Sequence, residues 1–188
     1  MSETITLTAM PTPNPNTVKF LVNKTFFELG SIDFSEAKKA SNSTLPKALF
    51  EVDGIEGVMI GTNFVSITKQ DDMGWEKVLE PASELIKDLC AKKDIELFDP
   101  TLLESISSVS ADDSEVVKKI KAILDTEIRP AIAMDGGDCE FCGYEDGILT
   151  LRMQGACSNC PSSVMTLKMG IENRIREEVP ELKEVVQV

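Results

Sequence analysis

The run Ser105-Ile106-Ser107-Ser108-Val109-Ser110-Ala111-Asp112-Asp113 most limits what this chain can fold into. It is rich in small polar residues whose side chains compete with helix and sheet for backbone hydrogen bonds. Asp99-Pro100, just upstream, stops a helix-like segment. The 188 residues therefore divide into two small units. We place one domain at residues 1–98, a flexible linker at 99–111 and a second domain at 112–188. Each is expected to be α+β, a short and mostly antiparallel sheet packed against helices.

The first unit opens with a short extended segment, Ile5–Thr8, and resumes extended pattern at Thr17–Val22. Three prolines in Pro11-Thr12-Pro13-Asn14-Pro15-Asn16 lack the N–H that a ladder needs and separate the two. A helix is expected after Ser43-Thr44 with Pro46 in its first turn. Gly57–Gly61 and Phe64–Thr68 read as a hairpin around Thr62-Asn63. Trp75, Val78, Leu79, Ala82, Leu85, Ile86 and Leu89 recur at helical spacing, and Pro81 inside that stretch predicts a kink or a late start. Cys90, next to Leu89, reads as a core thiol.

In the second unit, Asp112 and Glu115 have capping-box spacing before a helix whose apolar face runs from Val116 to Ile128. Arg129-Pro130 perturbs or ends it. Asp135-Gly136-Gly137-Asp138 is a turn, Cys139–Cys142 a strand, and Ile148–Met153 its hairpin partner. Leu149, Leu151 and Met153 share one face. A second helix starting at Pro161 turns Val164, Leu167, Ile171 and Ile175 inward, and Val185-Val186 suit a last strand.

Charge and composition then narrow the chemistry. The formal net charge of −13 repels a phosphate backbone and anionic membrane surfaces, so neither nucleic acid nor membrane is expected as a partner. Met1–Leu7 has neither a basic residue nor a long apolar stretch, and reads as neither a secretory signal nor a transit peptide. The simplest expectation is a soluble cytoplasmic protein. Histidine is absent, which removes Cys/His dyads, Ser-His-Asp triads and mixed Cys/His zinc sites. Five cysteines, four of them in two CxxC pairs, do not suit a disulfide framework.

The loop Gly155-Ala156-Cys157-Ser158-Asn159-Cys160-Pro161 is the candidate site. Gly155 lets the loop turn outward, and Pro161 suits a first helical position, which makes Cys160 the N-cap. The positive end of the helix then favours thiolates, the metal-binding form of cysteine, and an anionic iron–sulfur core. A cubane cluster takes four thiolates. One loop supplies two, so two chains are expected to meet, each giving Cys157 and Cys160. The site is expected on an exposed loop where the two chains meet.

Several segments resemble the NifU-like, Nfu-type iron–sulfur scaffold family. In the second unit these are Asp135–Asp138, Gly143–Gly147 and Leu151–Ser163. In the first they are Thr12–Phe20 and Phe50–Ile55. The resemblance implies a non-enzymatic carrier that accepts an assembled cluster from upstream and delivers it to apo-proteins. That cluster is usually [4Fe-4S], with [2Fe-2S] as the other type. It assigns the ligand role to Cys157 and Cys160, shared across a homodimer, and gives the first unit a part in partner recognition. Cys139 and Cys142 depart from the family pattern. They complete a C-x2-C-x14-C-x2-C spacing, close to a four-cysteine zinc or rubredoxin-like arrangement. Residues three apart on a regular strand point to opposite faces, which disfavours that site unless Gly143 bends the strand. Otherwise the pair is an auxiliary thiol set, or one packed and one exposed side chain. The alternatives to a carrier are a zinc-stabilised binding module and a CxxC dithiol oxidoreductase.

Of the remaining residues, Met165 and Met169 read as packing residues. Asp135, Asp138, Glu140, Glu145 and Asp146 read as a solvated hairpin rim.

Overall fold

The computed structural model describes residues 4–93, 95–99, 101–104, 113–158 and 163–188. Most of the expected linker and the expected Asp112 cap lie outside them. Thr101–Glu104, inside the span read as linker, is a single helical turn whose first N–H donates to Asp99 Oδ1 at 3.0 Å.

Five antiparallel strands form the N-terminal sheet: β1 (Leu7–Pro11), β2 (Thr17–Val22), β3 (Ile32–Phe34), β4 (Ile55–Ile60) and β5 (Phe64–Lys69). Their spatial order is β1-β2-β5-β4-β3. β2 and the β4–β5 hairpin fall where alternation places them. β1 runs later than expected, because Pro11 can close an edge strand that needs no donor on its outer side. β3 is too short to leave a periodic signal. Strand pairing fixes two faces. Phe20, Val22, Phe34, Val58, Ile60, Val65 and Ile67 are buried on one. Helices α1 (Thr44–Phe50) and α2 (Trp75–Ala91) contribute Leu45, Leu49, Val78, Ala82 and Ile86 to the same core. Pro81 sits inside α2, yet the helix begins at Trp75, so the late start is not taken. Cys90 is buried, as expected.

The opposite face of the same sheet carries Thr17, Lys19, Met59, Ser66, Thr68 and Asp33, and all but Asp33 are buried. β5 has no exposed position on either face. The C-terminal half covers this second face.

That half begins with α4 (Glu115–Ile123), numbered after α3 at Thr101–Glu104. Its N-cap is Ser114, whose Oγ accepts from Val117 N at 3.3 Å. The chain continues through one π turn, Leu124–Ile128, into α5 (Arg129–Met134), so Arg129-Pro130 modulates the helix rather than ending it. β6 (Gly137–Glu145) and β7 (Ile148–Gly155) form an antiparallel hairpin. After α6 (Ser163–Glu178), β8 (Glu184–Gln187) pairs parallel with β7. Ile120, Leu149, Leu151, Ile171 and Ile175 form the centre of this core. Among the described residues, no helix is long and apolar enough to cross a membrane.

Candidate functional site

Cys157 follows directly from the β7 terminus. Gly155 has φ +59, a left-handed conformation that turns the chain at the strand end. Cys157 N donates to Gln154 O at 3.3 Å and Ser158 N to Gly155 O at 3.1 Å, closing a tight turn. Ser158 Oγ reinforces it with a 2.8 Å bond to the same Gly155 carbonyl. The turn runs inward. Cys157 is only 6% exposed and packs in the C-terminal core. The expectation of an outward, exposed loop is therefore corrected for Cys157, because Ala156 is bonded back onto the Gly136 carbonyl ahead of β6 and to Asn14 of the N-terminal half. Cys160 and Pro161 lie outside the described residues, as does the expected helix start; the described part of α6 begins at Ser163.

The second cysteine pair is split by the strand. Cys139 is 2% exposed and lies on the core side, in the same cluster as Cys157. Burial, and after it the neighbouring Asp138 carboxylate, pushes its thiol up to about 12. Cys142 is exposed. The register slips between Phe141 and Gly143, so Cys142 is the extra residue of a β-bulge. The bend lies where Gly143 suggested one, yet it leaves Cys139 in the core and Cys142 in solvent. Among the described residues, no three acidic or cysteine side chains converge as a metal site, and no cysteine is in a disulfide.

Asp138 is not part of a solvated rim. It is buried and accepts from Arg129 Nε at 2.8 Å and Nη2 at 2.7 Å, a bidentate pair. Arg129 also reaches Asp125 Oδ1 at 3.1 Å. Its hydrogen bonds to Asp138 hold the guanidinium above its usual range. Asp135, Glu140, Glu145 and Asp146 are exposed, as expected for a rim.

Contacts from the N-terminal half reach the same turn. Asn14 Nδ2 donates to Ala156 O at 3.1 Å, a buried bond. Ser66 Oγ donates to Gly136 O at 2.7 Å, and Ala156 N donates to that same oxygen at 3.1 Å. The Gly155 N–H bonds to the Asp33 carboxylate, whose pKa is raised by burial and pulled back by this bond. Lys19 Nζ reaches Ala133 O at 2.7 Å, and Ser31 Oγ donates to Asp138. A cleft of about 800 Å³ opens between the halves and is bordered by Asp33, Lys39, Arg129, Arg152 and Ser158. Sequence reasoning missed this set. The available signal was the pair Ser66 and Thr68 on a strand otherwise apolar up to Lys69. Hydroxyls on a strand's second face can be buried where a hydrogen-bond partner meets them.

Together these features define an α+β protein in two packed halves, with a cysteine-bearing turn at their junction. Residues 120–186 match the NifU-like domain, and residues 7–93 match the N-terminal domain of the scaffold protein Nfu/NifU. NifU-like protein 5, mitochondrial, of Arabidopsis thaliana is 41% identical over 98% of this chain and 68% of its own length. The human NFU1 iron-sulfur cluster scaffold homolog, mitochondrial, is 39% identical over 94% of this chain and 69% of its own. A solution structure of a NifU-like protein from Saccharomyces cerevisiae covers 50% of this chain and 84% of its own, with a TM-score of 0.42 and 24% identity. The chain belongs to the Nfu/NifU scaffold family. It spans about two thirds of the length of the curated relatives it matches, from 62% to 69%. The expectation of a cytoplasmic protein is overturned here, since these relatives are named as mitochondrial.

Proposed function

We propose that this protein is a mitochondrial iron–sulfur cluster scaffold and carrier that binds a [4Fe-4S] cluster through Cys157 and Cys160 and passes it to apo-proteins. The observation that carries this reading is the thiol-bearing turn between β7 and α6, in a chain of the Nfu/NifU scaffold family. With no histidine in the chain, sulfur is the available soft ligand. The cluster is cargo, and the role is transfer rather than catalysis. Two thiolates per chain are half of a cubane's set, so a homodimer shares the cluster. Apo-proteins displace the ligands one thiolate at a time, and an upstream assembly factor supplies the cluster. The proposed organisation keeps residues 1–98 for partner recognition and 112–188 for the cluster, with 99–111 between them.

Anaerobic reconstitution with iron and sulfide tests the reading. The expected product is brown, carries about four iron per dimer, and is dimeric by native mass measurement. Cys157→Ser and Cys160→Ser are each expected to abolish stable loading, whereas Cys142→Ser retains it. Full loading of both single variants would reject the ligand assignment. Tight zinc binding that resists iron would favour the binding module instead.

A further inference from the structure

The Thr12–Asn16 segment, with its three flanking and internal prolines, has no place in the cluster chemistry described so far. In the structure it forms a rigid mount for one side chain. Thr12 Oγ1 donates to Thr17 O at 2.8 Å and accepts from Asn14 N at 3.2 Å. Asn16 N donates to Asn14 Oδ1 at 3.0 Å, and Thr17 N donates to Asn14 O at 3.0 Å. The indole N–H of Trp75 holds the next carbonyl, Pro15 O, at 3.0 Å. Asn14 is 3% exposed. Its oxygen is used within its own loop, and its amide N–H group points across the junction at Ala156 O, the carbonyl immediately before Cys157.

The backbone groups at the start of the turn are held from both sides. Gly155 N goes to Asp33, Gly155 O takes Ser158, Ala156 N goes to Gly136 O, and Ala156 O takes Asn14. Gly136 O is itself fixed by Ser66. In this arrangement Cys157 faces the core, where neither a second protomer nor a client thiolate can reach its sulfur.

We propose that Asn14, supported by Ser66, is a positioning residue that locks the turn with Cys157 inward, and that Cys157 turns outward only when this lock releases. The N-terminal half thereby controls the ligand's availability. Its contribution to cluster handling is a hold on the backbone beside the ligand. This inference rests on the reading of Cys157 as a cluster ligand, but the lock itself is a property of the metal-free chain.

Asn14→Asp is the discriminating substitution. It keeps an oxygen for Asn16 N and replaces the donor to Ala156 O with a carboxylate oxygen that repels that carbonyl. Ser66→Ala removes the second hold through a different atom. The metal-free chain of 188 residues is treated with N-ethylmaleimide under native conditions, and each cysteine is followed by fragment-ion mass spectrometry. Cys157 is expected to react at least about fivefold faster in either variant, the scale of one net hydrogen bond. Exposed Cys142 should react at an unchanged rate, and core Cys139 and Cys90 should stay protected. The same variants should take up iron and sulfide faster. A Cys157 rate within twofold of the unsubstituted chain in both variants overturns the lock. Parallel labelling of Cys139 also overturns it, since the C-terminal core would then be opening as a whole. If Cys157 is released as expected and no cluster forms, the lock stands and the cluster reading fails.

Discussion

The sulfur of Cys157 rests against the bare Cα of Gly137: a Cβ built on Gly137 would stand 2.4 Å from Sγ and 3.1 Å from the Cys157 Cβ. Gly137 opens β6 directly opposite Gly155, and its missing side chain makes the slot that the cysteine occupies.

Gly137→Ala is therefore expected to displace Cys157 or strain the turn. Overpacking of this kind costs about 1–3 kcal/mol. Urea denaturation should show that loss as a lower midpoint at unchanged slope, and native alkylation should show Cys157 reacting faster.

Gly155 combines a left-handed backbone with close approach. A Cβ there would lie 2.7 Å from both Gly136 O and Met59 Sδ. Asparagine tolerates positive φ better than alanine, so comparing the two separates the causes. We expect Gly155→Ala and Gly155→Asn each to lose at least about 2 kcal/mol, more than the roughly 1–2 kcal/mol cost of left-handed backbone alone. Adding Met59→Ala should not restore either, because the Gly136 carbonyl still blocks the space. Recovery in Gly155→Asn would mean that conformation alone decides.

Removing Asp138 strands its partner. Arg129 is largely buried, and loss of one member of such a pair costs about 3–5 kcal/mol. Asp138→Ala should approach the lower end of that range in urea denaturation, since Asp125 still faces Arg129. Ser31 loses its shorter acceptor in the same variant and keeps only Gln154 Oε1 at 3.4 Å, so contact between the halves weakens along with the C-terminal core.

Alkaline pH should destabilise the fold through its buried thiols. Burial raises Cys139 to about 12 and Cys90 to about 11, from 9.0. Each folded pKa lies above its unfolded value, so the folded state keeps the proton longer. The stabilisation is complete below pH 9 and is lost as pH rises toward the folded values. Each buried thiol should contribute a slope of roughly 1.4 kcal/mol per pH unit across that window. Cys139→Val is expected to flatten the decline above pH 9, measured by urea denaturation from pH 8 to 11. An unchanged slope would contradict the assignment.

The strands and helices that bury one face against one core were legible in the sequence. Thr17–Val22, the β4–β5 hairpin, α1 after Ser43 and the apolar stripe of α2 all follow from local periodicity. The position of the cysteine turn, just after a strand, was legible for the same reason. The direction of that turn was not. Gly155 permits both outward and inward courses, and the choice is made by Asn14, Asp33 and Ser66, more than 80 residues earlier in the chain. Asp138 was misplaced for a related reason. Its acidic neighbours are solvated, and only the fold brings Arg129 and Ser31 to it. Gly143 marked the possible bend, but not that Cys142 would be its extra residue, because one added residue changes register without changing composition.

The Gly136 carbonyl bears on how readily such a chain can be recombined. One oxygen takes a donor from the N-terminal sheet, Ser66, and one from the cysteine turn, Ala156. A chimera that joined this C-terminal half to a different N-terminal half could conserve both cores and still orphan the Ala156 carbonyl, while Gly136 O and Asp138 would each lose one of their donors. Compatibility between halves would then be set by a few polar atoms at the seam. A shuffled library scored only on core packing would retain many chains whose cysteine turn is misdirected.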